Sequence, residues 1–101
     1  MWTLQGSEPD HGVFSFRLSA PVTRTLGRAQ DADFIVDAPL VSRLHCRIEA
    51  DHDVLRIIDL ASTNGTFVNG ERIEQGELRD GDRLRVGRID FTVSRLAGQT
   101  S

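Results

Sequence analysis

The segment VSRLHCRIE, residues 41–49, brings Ser42, Arg43 and His45 close together before becoming an alternating apolar/polar run. Ser42 and His45 could be a nucleophile and its base. Ser42 and Arg43 could equally be donors to an anion, with His45 doing something else. All three could also be ordinary polar residues leading into a strand. A serine nucleophile needs a base within hydrogen-bond reach, a third group to orient that base, and an oxyanion hole. Side chains at i and i+3 of an extended chain point to opposite faces, so Ser42 and His45 meet only if the backbone turns between them. The sequence has no G-x-S-x-G elbow, the strand-to-helix turn that would present such a serine. Catalysis therefore finds little support here.

Two further segments carry groups of the same kind. DLASTNGTFVNGERI, residues 59–73, gathers Ser62, Thr63 and Asn64 at an expected loop tip. Such a cluster of hydroxyl and amide donors suits an anionic or main-chain ligand. Two turns around a short strand, TFV, also account for this stretch, but turns need only one polar residue and a glycine each. In TLGRAQDADFIV, Gly27 ends a strand and leaves Arg28 at a loop edge. Taken alone, Gly27-Arg28 and Arg43 are surface arginines of a common sort.

Composition narrows the chemistry. All twelve basic residues are arginine, whose planar fork of donors fits carboxylate and phosphate. Biased genomic composition explains the missing lysine as well, so an arginine-based anion site is permitted and not shown. The net charge of −3 argues against nucleic-acid binding by bulk electrostatics. A single cysteine, Cys46, excludes an intramolecular disulfide and a zinc ligand set. No run is long and apolar enough to span a bilayer, and MWTLQGSEPD lacks the pattern of a signal peptide. A cytoplasmic, reducing setting without membrane insertion, metal or cofactor is expected.

Strand signals recur along the chain, and no helical period is evident. FSFRL alternates Phe14, Phe16 and Leu18 against Ser15 and Arg17, and CRIEA places Cys46, Ile48 and Ala50 on one face. RLRVGRIDFTV turns Leu84 and Val86, then Ile89, Phe91 and Val93, toward a core. DVLRIIDL is apolar on both faces, as for a central strand. WTLQG, VTRTLGR and DFIV are shorter candidates. Asn64-Gly65, Asn69-Gly70 and Asp80-Gly81 punctuate the runs as turns. Many short strands with frequent turns predict an all-β sandwich or barrel in a single domain over residues 1–96. Residues 97–101 read as a C-terminal tail or the start of a linker.

The order Gly27-Arg28, Ser42-x-x-His45, Thr63-Asn64-Gly65 and Asn69-Gly70, followed by LRDGDRLRVG, resembles the forkhead-associated (FHA) domain. The resemblance covers roughly residues 2–96. It implies a β-sandwich of FHA/SMAD-like type, with two twisted, mainly antiparallel sheets and binding loops at one end. It also implies a non-enzymatic module that binds phosphothreonine in a partner protein, within kinase-dependent signalling or assembly. On that resemblance, Arg28, Ser42, Arg43, Thr63 and Asn64 would contact the phosphopeptide. Gly27, His45, Gly65, Asn69 and Gly70 would support the site. Leu40, Gly87 and Arg88 are candidates for selectivity along the peptide. A phosphate-independent interaction or oligomerisation domain of the same fold is the alternative, and the retained donors Arg28, Ser42 and Asn64 favour the first reading.

Overall fold

The computed structural model describes residues 1–10 and 12–96; the expected tail, residues 97–101, lies outside the described residues. The described chain forms strands and no helix, so none is long and apolar enough to cross a membrane. The strands are β1 (Trp2–Glu8), β2 (Gly12–Leu18), β3 (Val22–Gly27), β4 (Phe34–Ile35), β5 (Cys46–Ala50), β6 (Leu55–Asp59), β7 (Thr66–Val68), β8 (Glu71–Ile73), β9 (Gln75–Leu78), β10 (Arg83–Val86) and β11 (Ile89–Arg95). They make two sheets, ordered β2-β1-β11-β10-β7-β8 and β4-β3-β5-β6-β9. Every pairing but the short parallel β3–β4 contact is antiparallel where a register is given.

Alternation decides which face of each sheet is covered. From the six-stranded sheet, Leu4, Leu84, Val86, Ile89, Phe91 and Val93 are fully buried; from the other, Leu26, Cys46, Ile48, Leu55, Ile57 and Leu78 meet them. Each such aliphatic or aromatic side chain contributes about 1.5–3 kcal/mol by leaving water. The Gly87-Arg88 turn resets the parity between β10 and β11, so Val86 and Ile89 pair with both side chains inward. At one open edge Phe16 of β2 stacks on Phe34 of β4, with centroids 4.5 Å apart, joining the two sheets.

The strand expectations hold in the main, with three differences. β6 is an inner strand, as predicted, but only Leu55 and Ile57 are fully buried; Ile58 is half-buried on the outer face. Asn64-Gly65 lies in the β6–β7 crossover between sheets, whereas Asn69-Gly70 closes a true two-residue hairpin, with both φ values positive (50° and 85°). β8 and β9 carry no strand pattern in the sequence, because ERI and QGEL are short, charged and interrupted by glycine. Their partners β7 and β6 supply the ladder that makes them strands.

Candidate functional site

Three connections leave the sandwich at the same end: residues 28–33 after β3, 36–45 between β4 and β5, and 60–65 between β6 and β7. Between them lies an open groove of about 520 Å³, lined by Arg28, residues 37–42, Thr63 and Asn64.

Gly27 brings the first two connections together. A Cβ at this position would lie 2.1 Å from the Arg43 carbonyl oxygen, so no other residue fits without moving the backbone. With the strands this close, the Arg28 N–H donates to the Ser42 carbonyl (2.9 Å) and the Ala29 N–H to that of Arg43 (3.0 Å). The Arg28 side chain is then anchored by one bond, from Nε to the Val41 carbonyl at 3.1 Å. Its two terminal NH2 groups make no hydrogen bond among the described residues and remain at the groove.

The middle connection is shaped by a turn over residues 38–41, in which the Val41 N–H bonds the Ala38 carbonyl (3.4 Å). Pro39 takes the second position and Leu40 the third, with φ of 70°. That conformation is costly for a branched side chain and is normally left to glycine or asparagine. Two contacts hold it. The Asn64 Nδ2 donates to the Leu40 carbonyl (3.0 Å), and Gly87 presses from behind. A Cβ on Gly87 would stand 3.0 Å from Val41 Cγ2 and 3.1 Å from the Pro39 oxygen. Leu40 itself is 45% exposed at the groove.

His45 is fully buried and bonded on both ring nitrogens. The Ser42 backbone N–H reaches Nδ1 (3.0 Å), which must therefore accept, so Nε2 carries the proton and donates to the Gly65 carbonyl (2.8 Å). Burial lowers the pKa of the imidazole, against the Gly65 bond and the Asp59 charge, and keeps it neutral. The Ser42 hydroxyl is turned elsewhere: its oxygen accepts from the Thr63 N–H at 3.0 Å. Ser42 and His45 are thus joined through a main-chain amide and not as hydroxyl and base. The hydroxyl proton is left free to donate.

The last connection hangs on Asp59, a residue that sequence reasoning passed over. Its carboxylate accepts from the Ser62 hydroxyl, the Ser62 N–H (3.1 Å) and the Thr66 hydroxyl (2.6 Å). Burial alone would raise its pKa, but these hydrogen bonds outweigh it and hold the carboxyl below its ordinary value. Ser62, expected in the donor cluster at the loop tip, is instead buried; its oxygen also accepts the Gly65 N–H (3.1 Å). The spacing Asp59-x-x-Ser62 was the available signal, since a short carboxylate readily caps nearby main-chain N–H groups.

Of the residues assigned to a ligand, Arg28, Ser42, Thr63 and Asn64 share the groove, while the Arg43 side chain is exposed outside its lining. Leu40 lines the groove, with Gly87 behind it. Arg88 stands in the same turn. Asn69 and Gly70 lie at the opposite end of β7, where Asn69 Oδ1 accepts from the Arg83 N–H (2.9 Å) and so steadies β7 from a distance. Asp37, not foreseen as a site residue, adds a carboxylate to the groove wall.

The FHA domain family model matches residues 24–87. FHA domain-containing protein FhaA of Mycobacterium tuberculosis is 43% identical over 68 residues, which are 67% of this chain and 13% of that protein. The glycogen accumulation regulator GarA of Mycolicibacterium smegmatis is 34% identical over 86 residues, 85% of this chain and 52% of that protein. The chain thus spans about half or less of the length of these curated relatives. A solved FHA domain studied for phosphothreonine-dependent interactions superposes with a TM-score of 0.77 at 35% identity, covering 96% of this chain and 97% of that one.

Proposed function

Since the chain belongs to the forkhead-associated family, we propose that its groove receives a phosphothreonine-containing segment of a partner protein. The observation that carries this reading is the convergence of four side chains, from three connections, whose remaining donors are unspent. The terminal NH2 groups of Arg28 pair with phosphate oxygens in charge-assisted bonds, and the Ser42 hydroxyl donates a further one. Thr63 lies against the phosphothreonine. Asn64 uses one amide proton on Leu40 and keeps a donor and an acceptor, the pair that a ligand main chain requires. Arg43 adds a flanking donor from outside the groove, and Leu40, Gly87 and Arg88 bias the choice of neighbouring residues.

Charge-assisted hydrogen bonds contribute about 1.5–3 kcal/mol each, so two or three of them outweigh the repulsion of a net acidic surface screened beyond about 8–10 Å. The three connections are held by bonds made before any ligand arrives, which lowers the ordering cost of association. No catalytic step belongs to this reading, because neither ring nitrogen of His45 is bonded to the Ser42 hydroxyl. The ligand must be made by a Ser/Thr kinase, which fits a cytoplasmic setting, and residues 1–96 act as one binding domain. Titration against matched phosphorylated and unphosphorylated threonine peptides tests the proposal. Binding of the phosphorylated form alone is expected, and equal affinity would overturn it.

A further inference from the structure

The arginines are divided unequally between the two sheets. On the outer face of the five-stranded sheet, Arg47, Arg56 and Arg79 are paired with Glu49 and Glu77 in a continuous chain of ion pairs. On the outer face of the other sheet, Arg72 of β8 and Arg85 of β10 lie either side of Phe67 in register. Among the described residues neither makes an ion pair, although Asp90 stands opposite Arg85. Both reach toward the groove end of the sandwich. A Cβ on Gly65 would meet Arg72 Nε at 2.7 Å, so the arginine lies across the bare glycine next to Asn64. Arg85 Nε points to the Gly87 carbonyl (3.4 Å), in the turn that backs Pro39 and Val41.

Gly65 therefore lies between two groups. His45 bonds its carbonyl from within, and Arg72 covers its outer side. Phe67 is half-buried and stands in register between the two cations. Strands lie about 4.8 Å apart, so Arg72 and Arg85 are separated by roughly 10 Å, a distance that an extended peptide covers in about three residues.

We infer that the Arg72–Phe67–Arg85 face is a second anion-reading surface, continuous with the groove through Gly65, which takes acidic groups flanking the phosphothreonine in the same partner segment. This inference rests on the phosphothreonine reading of the groove. Carboxylate and phosphate share the required chemistry: each presents planar or tetrahedral oxygens to a guanidinium fork. Charge complementarity selects an acidic segment over a neutral one, and the aromatic ring between the cations accommodates an apolar or main-chain stretch. Nothing in the motif order marked these residues, since an arginine in ERI and another in RLRV are indistinguishable from the paired arginines elsewhere.

The test is a set of titrations on the full chain with a phosphothreonine peptide carrying alanine flanks, glutamate flanks or a second phosphothreonine, and with the unphosphorylated forms. Glutamate flanks are expected to tighten binding about fivefold, the size of a few exposed ion pairs. In the variant Arg72→Gln/Arg85→Gln the preference should vanish, while affinity for the alanine-flanked phosphopeptide and the melting temperature stay unchanged. Arg72→Lys/Arg85→Lys should keep part of the preference, which separates lost charge from a disturbed fold. A larger gain from a second phosphate than from glutamate identifies phosphate as the natural group. The inference is overturned if the unaltered chain does not distinguish the flanks, or if the glutamine variant still does. Should phosphorylation itself make no difference, the groove reading fails, yet an Arg72- and Arg85-dependent preference for glutamate would still support this surface.

Discussion

In the proposed binding mode Arg28 is the side chain on which recognition turns, because its backbone is bonded to Ser42 and its guanidinium is committed only through Nε. Arg28→Ala should leave the fold intact and cost about 3 kcal/mol or more of binding, as two charge-assisted bonds are lost. Calorimetric titration checks this, and unchanged affinity would remove Arg28 from the site. Asp37 makes the opposite contribution. It is exposed on the groove wall, where its charge would repel a phosphate dianion. Asp37→Asn is expected to tighten phosphopeptide binding by about 0.2–1 kcal/mol, the size of an exposed charge pair. Weaker binding in the same titration would instead show Asp37 holding the loop. Cys46 takes no part in such chemistry: burial, followed by the Asp59 charge, pushes its thiol up to about 12.

The β6–β7 connection is an element organised by one carboxylate. Asp59 ends β6, Thr66 begins β7, and between them Ser62 is bonded to Asp59 and Gly65 to Ser62. Asp59→Ala would leave the fully buried Thr66 hydroxyl and the Ser62 N–H without their acceptor. A loss of stability of about 1–3 kcal/mol is expected, together with lost binding, since Thr63 and Asn64 are carried on this loop. Thermal denaturation beside a peptide titration separates this from Arg28→Ala, which should lower affinity alone. An Asp59→Ala protein of normal stability would mean that the turn persists without its cap.

For the whole molecule, acid is the revealing perturbation. His45 has its pKa lowered from the ordinary 6.5, chiefly by burial, so the unfolded chain binds the proton more readily. The resulting stability is complete above about pH 6.5 and declines as pH falls below it. Asp59 has its pKa lowered from 3.8, where burial acts upward but the hydroxyl and amide bonds prevail. Its contribution is complete above that value and is lost as pH falls further through the folded pKa. Denaturant titrations should therefore show a plateau near neutrality and two successive losses toward acid. A stability that rises between pH 6.5 and 5 would contradict the neutral, doubly bonded imidazole. Phosphopeptide affinity should weaken over a similar first window, below about pH 6, because the phosphate gains its second proton there.

Much of this architecture is written locally. Alternation in FSFRL, CRIEA and RLRVGRIDFTV fixes which side chains are buried, since a pleated strand has period two whatever its neighbours. The short motifs named Arg28, Ser42, Thr63 and Asn64 only through the family resemblance they carry. What no local pattern carries is the placing of β9 on β6, the left-handed Leu40 and the set of side chains that share the groove. Each is decided by contacts across long stretches of chain. Arg28 meets Val41 thirteen residues away, Ser42 meets Thr63 at twenty-one, and Asn64 meets Leu40 at twenty-four. Propensity acts over a few residues, whereas these bonds exist only after two sheets have packed and brought their loops to one end. The sequence by itself determined an all-β chain, its buried faces and a set of candidate donors; tertiary packing alone decided which of those donors face one groove.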